Sequence, residues 1–155
     1  PLSLENVRAQ RMLTDEGRRQ ARAIGQAWRD LRIPISSVTA SKFQRAVEAA
    51  TLLGVGEVLT STDVTEGGLV VSPNENKRRA KVLARLLSMK PRSGTNAVIV
   101  SHRPNLQDAA GKELGDLAEA EVVVFRPLEN GKFEVLARIA PAEKWTEWAS
   151  KFRAN

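Results

Sequence analysis

The stretch that most constrains this chain is Ala97-Val-Ile-Val-Ser-His-Arg-Pro-Asn105, where an unbroken apolar run meets the only histidine of the 155 residues. A run of four small or β-favouring apolar residues without polar alternation predicts a strand buried on both faces, the habit of parallel sheets in α/β proteins. Pro104 ends the strand, and Asn105 is expected to cap a helix running to about Leu114. Ligands of such sheets bind just beyond the carboxyl ends of the strands. His102 is thereby placed at the mouth of a site, as the one side chain type whose ordinary pKa lies near neutrality. A purely structural, hydrogen-bonded histidine is the alternative at this point.

The flanking segments supply the rest of an α/β domain. Thr14 can cap a helix whose first turn holds Asp15 and Glu16, and Ala21, Ile24, Trp28 and Leu31 form its apolar stripe up to Pro34. A short strand over 34–41 and a helix over 42–53, stopped by Gly54, follow. Residues 55–73 carry little pattern. A helix over 75–89 has Ala80, Leu83, Leu86 and Leu87 on one side and a basic opposite face. Glu121–Pro127, Asn130-Gly131 and Phe133–Ile139 predict a β-hairpin, and Pro141 opens a last helix with Trp145, Trp148 and Phe152. The expected fold is a three-layer α/β sandwich. It has a mostly parallel central sheet, helices on both faces and a C-terminal β-hairpin, all within one domain over 1–155.

A second strand end repeats the first. Ser41 closes the strand over 34–41, and Arg45 falls in the first turn of the next helix. Helix N-termini hold phosphate through free amides, and arginine adds a planar fork matched to phosphate oxygens. Arg45 alone reads as an ordinary surface residue; paired with His102 at another strand end, it points to one anion pocket. The net charge of +6 and a pI near 10.2 suit an anionic ligand. They suit nucleic acid too, but no aromatic-rich binding motif accompanies the charge, so no nucleic-acid partner is expected. No apolar run is long enough for a membrane span, and no membrane partner is expected. The absence of cysteine fits a cytoplasmic or a periplasmic setting. One histidine with scattered acids offers no metal-ligand spacing, so neither metal nor cofactor is expected.

Three ordered stretches resemble the histidine phosphatase superfamily, the phosphoglycerate-mutase-like fold, and in particular its small bacterial members. Leu13-Thr-Asp-Glu-Gly-Arg-Arg-Gln-Ala21 is similar to the family's Leu-Thr-x-x-Gly-x-x-Gln-Ala helix start. Ala40 to Ala50 is similar to its Ser-x-x-x-Arg segment, with Ala49 where threonine is usual. Val98-Ile-Val-Ser-His102 resembles the strand that delivers the family's second histidine. The resemblance implies a phosphate-monoester hydrolase working through a phosphohistidine, acting on a phosphorylated small molecule. Arg45 and His102 would be its catalytic residues here, and Ser41 and Arg103 would contact substrate. For the carboxylate that protonates the leaving oxygen, Glu66, Glu119 and Glu121 are the candidates.

The family's Arg-His-Gly or Arg-His-Ala motif, which carries the nucleophile, precedes the Leu-Thr-x-x-Gly helix. It is not among the twelve residues before Leu13. The expectation is that the first strand lies upstream of Pro1. The alternative is a catalytically inactive member that binds phosphate ligands or serves as a scaffold. Taken as the whole molecule, residues 1–155 are expected to be poorly stable, to form a homodimer through the gap, or to pair with another strand.

Overall fold

The structure, a computed structural model, describes residues 12–154. Residues 1–11, whose sequence carries little pattern and reads as a loop or irregular arm, lie outside that range. Helix α1 (Asp15–Asp30) starts as its sequence dictates: Thr14 accepts from the Gly17 amide, and Asp15 and Glu16 occupy the first turn. Strand β1 (Ile35–Ser41) leads into α2 (Gln44–Leu53), which ends on Gly54 in the left-handed region at φ 62°. The segment without legible pattern contains β2 (Val58–Ser61), a short 3-10 turn over Thr62–Val64 and an exposed loop. Helix α3 (Pro73–Ser88) is capped by Ser72, and β3 (Asn96–Val100) runs into α4 (Arg103–Ala110). The hairpin β4 (Val122–Pro127) and β5 (Phe133–Ile139) turns through Asn130 and Gly131, both at positive φ, and α5 (Glu143–Ala154) follows.

Two sheets result. β1 lies between β2 and β3 in a parallel three-stranded sheet, and β4 and β5 pair antiparallel with a register shift between Val124 and Phe125. Alternation along β3 explains the helical layers. Val98 and Val100 pack on a core built from Ile24, Trp28, Leu53, Trp145 and Ala149 of α1, α2 and α5. Ile99, pointing the other way, packs with Val64, Leu83 and Leu87 on the α3–α4 side. The hairpin serves the same two cores, with Val122 and Val124 on the first and Phe125 and Phe133 on the second. This is the expected α/β sandwich.

Two local expectations need correcting. β3 does have cores on both faces, yet it stands at the edge of its three-stranded ladder and its side chains are only partly buried. Asn105 does not cap α4. His102 occupies the cap position through its backbone, because Pro104 fits the first helical turn, where no amide donor is needed. Asn105 is thereby carried inside the helix and buried, and α4 ends at Ala110, followed by a 3-10 turn over Lys112–Asp116.

Candidate functional site

Parallel pairing brings three strand ends to one edge of the sheet. Ala40 stands beside Val100 and Ser41 beside Ser61, so the segments that follow, 41–45, 61–66 and 101–105, converge there. Arg45 and His102, 57 residues apart in sequence, meet at that edge: Arg45 Nη2 lies 3.3 Å from His102 Nδ1. The opposite ring nitrogen, Nε2, lies 2.6 Å from the hydroxyl of the fully buried Ser41. That hydroxyl also accepts from the Phe43 amide at 3.1 Å.

The polar partners decide the tautomer. A guanidinium only donates, so Nδ1 must be the acceptor and the ring proton sits on Nε2, donating to Ser41 Oγ. His102 is buried, and desolvation together with the Arg45 charge pushes its pKa down from 6.5 to about 4. The free site therefore holds a neutral imidazole.

Glu66 joins this pair. Its Oε2 is 3.4 Å from Arg45 Nη2 and 4.0 Å from His102 Nδ1, with the carboxylate about a third exposed (33%). Phe43 walls the site: its ring lies 5.0 Å from the Arg45 guanidinium carbon and meets the His102 ring edge-on at 5.2 Å. Arg103 is exposed on the first residue of α4, beside His102. Helices α2 and α4 both point their N-termini at this edge, and neither is capped by a side chain. Next to Glu66 a small, open cleft is lined by Gly67, Gly68, Asn76, Asn105 and Asp108.

Of the sequence-selected residues, Ser41, Arg45, His102 and Glu66 are thus in mutual contact or near it, and Arg103 flanks them. Glu121 is committed elsewhere, to Arg138 at 2.5 Å and the Ala118 amide at 3.1 Å, and Glu119 lies exposed in the loop before β4. Phe43, Thr65, Arg79 and Asn105 were not singled out as site residues by the sequence. Arg79 in particular is buried rather than part of a solvated basic face. A signal existed: Arg79 lies four residues before Leu83, on the same helix face. Among the described residues, no group of three or more histidine, aspartate and glutamate side chains could hold a metal ion.

The buried neutral histidine has a consequence for folding. An unfolded chain protonates His102 near pH 6.5, whereas the folded chain resists protonation until about pH 4. Between these values the unfolded state binds more protons, so stability is full above pH 6.5 and is lost as pH falls towards 4. The loss attributable to this side chain reaches about 3 kcal/mol at most. Urea unfolding of the wild type and His102→Gln from pH 7 to 4.5 is expected to show the smaller slope in the variant. Equal slopes would contradict the burial of an uncharged ring.

Comparison with known proteins follows this geometry. The family model for the histidine phosphatase superfamily (branch 1) matches residues 7–67. No curated protein sequence matches the chain. The solved structure of the protein histidine phosphatase SixA complexed with tungstate is similar at a TM-score of 0.62 and 17% identity, covering 87% of each chain. A chain described as phosphohistidine phosphatase SixA from Nakamurella multipartitia is similar at 0.62 and 18% identity, over 91% of this chain and 90% of that one. A mycobacterial hydrolase is similar at 0.56 and 15% identity, over 93% of this chain and 88% of that one. At such identities the structural likeness speaks for the fold.

Proposed function

We infer that this chain, whose residues 7–67 match the histidine phosphatase superfamily model and whose fold is similar to that of SixA, binds a phosphoryl group at its site and serves phosphate-monoester hydrolysis. The observation that carries this is the meeting of Arg45 and His102 at 3.3 Å from two different strand ends, with Glu66 beside both. Arg45 is the phosphate clamp: a permanent charge with paired donors, placed in the first turn of α2, where the helix dipole favours an anion. His102 faces the same point through Nδ1. Because Nε2 is held by Ser41, Nδ1 can donate to a phosphoryl oxygen only after taking up a proton. Phosphate binding and proton uptake by His102 are therefore coupled, the dianion supplying the charge that desolvation denies the empty site.

Charge builds on the phosphoryl oxygens during transfer, and prearranged donors such as these stabilise it. Glu66, beside both Arg45 and His102, is the carboxylate placed to exchange a proton with the leaving oxygen. The nucleophile implied by the family resemblance is a histidine of an Arg-His motif. His102, already buried against Ser41, is the sole histidine of these 155 residues. The alternative reading is a phosphate-binding module that captures phosphorylated ligands without turning them over. Arg103, exposed at the start of α4 beside His102, is placed to meet further negative charge on a substrate.

Two measurements separate the possibilities. Calorimetric titration of the 155-residue chain with inorganic phosphate and with tungstate is expected to show one site. The product of the natural open reading frame, assayed with p-nitrophenyl phosphate, is expected to turn over and to lose that activity in His102→Ala. Binding without turnover would leave the phosphate-binding module. Absence of both would remove the phosphate site altogether.

A further inference from the structure

Thr65, the residue before Glu66, is tied through its side chain, amide and carbonyl alike. Its side chain and amide are used first: Oγ1 accepts from the Lys42 amide at 2.9 Å and donates to the Ser61 carbonyl at 2.8 Å, while its own amide donates to the Thr62 carbonyl at 3.0 Å. Its carbonyl then receives two donors from two helices, Arg79 Nη1 of α3 at 3.0 Å and Asn105 Nδ2 of α4 at 3.1 Å. One residue earlier, the Val64 carbonyl is held by the Ser101 hydroxyl at 2.6 Å. The backbone entering Glu66 is thus pinned from every element around it.

Both donors are costly choices, which separates a dedicated role from incidental packing. Arg79 is 9% exposed, an unusual setting for a guanidinium, and is itself aimed by Glu75, which accepts from its Nε at 2.8 Å. Hydrogen bonds from Arg78 and Arg79 hold Glu75 at a pKa of about 2, so its charge persists. Asn105 is equally buried, and its Oδ1 has no partner among the described residues. The acceptor carbonyl fixes the amide's orientation, so burying Asn105 leaves Oδ1 unsatisfied while Nδ2 reaches Thr65.

We propose that Arg79 and Asn105 are positioning residues which, by gripping the Thr65 carbonyl from opposite helices, fix the Glu66 carboxylate against Arg45 and His102. The inference rests on the phosphate site above, since Glu66 has a task only if an anion sits beside it. Both act on the site through the Thr65 carbonyl. Their function is to keep a negative carboxylate close to a bound anion, a placement that is unfavourable for binding and that a loose loop would relieve.

The test is a double-mutant cycle read by phosphate affinity in the 155-residue chain. Glu66→Gln removes the repulsion and is expected to tighten inorganic phosphate binding roughly 3- to 10-fold. Arg79→Met and Asn105→Ala, by freeing Glu66, are each expected to tighten binding towards the Glu66→Gln value. Neither should add anything in the Glu66→Gln background. Arg79→Lys, which keeps a donor for Thr65, is expected to restore part of the wild-type affinity. Should Arg79→Met not fold, Asn105→Ala carries the cycle alone. Equal effects in both backgrounds, or weaker binding in both, mean that the two residues merely pack the helices, and the proposal is overturned while the phosphate site stands. No phosphate binding by the wild type, or no effect of Glu66→Gln, overturns the underlying site reading, and the proposal with it.

Discussion

Replacing Arg45 with alanine is expected to lower phosphate affinity, and any turnover, by about 100- to 1,000-fold. The guanidinium is only a quarter exposed (25%), rests on the Phe43 ring and lies within 3.4 Å of both His102 and Glu66. An anion entering beside Glu66 without Arg45 would face a carboxylate and a neutral imidazole, with only helix amides in its favour. Arg45→Lys keeps the charge but not the paired donors, so it should recover only part of the loss. Titration calorimetry with inorganic phosphate measures both variants. Affinity within threefold of wild type for Arg45→Ala would place the anion elsewhere.

The largest effect on stability is expected from Gly25→Ala. Gly25 lies in the buried face of α1 where that helix crosses the end of α2, and an added Cβ would stand 1.8 Å from the Leu53 carbonyl oxygen and 2.5 Å from its carbon. Those atoms are backbone, so relief requires moving a helix rather than turning a side chain. The same carbonyl is one of the free ends of α2, and it accepts from Arg29 Nη1 at 2.5 Å, with Gly54's carbonyl accepting from the same nitrogen at 2.9 Å. Pushing the helices apart therefore breaks this cap and loosens the core around Ile24, Trp28 and Leu53. Overpacking of this kind costs about 3 kcal/mol, which corresponds to roughly 6–12 °C in Tm for a chain of this size. Differential scanning calorimetry reads it directly. A Tm within about 2 °C of wild type would show that α1 and α2 do not approach so closely.

Much of the fold was legible because its signals are local. Thr14, Gly54, Pro104 and the Asn130-Gly131 turn mark element ends through capping and backbone preference, and the stripe Ala21, Ile24, Trp28 marks a buried face. β2 was hidden for a physical reason: Val58–Ser61 is short, and Leu59 is largely exposed, so no alternation could form. Ser41, Arg45 and His102 were legible because strand ends in parallel sheets collect ligand-binding residues. Their convergence required only that the two strands be neighbours, as they are.

What lay beyond the sequence was the support behind the site. That Asn105 reaches Thr65 across 40 residues, or Arg79 across 14, depends on how α3 and α4 pack together, which no periodicity encodes. The protonation of His102 was equally hidden. Its ordinary pKa suggests a charge switch near neutrality, and only burial beside Arg45 shows that the empty site keeps it neutral.

The central claim is that Arg45 and His102 form one phosphate site, and the sole histidine of these 155 residues allows it to be read at a single ring. Nitrogen-15 NMR of the imidazole at pH 7, recorded with and without inorganic phosphate, is the direct measurement. The free chain should show a neutral ring protonated at Nε2. Saturating phosphate should shift Nδ1 towards the protonated state, and Arg45→Ala should abolish that change at the same phosphate concentration. A ring that stays neutral and unperturbed while the wild-type chain is demonstrably saturated would contradict the site.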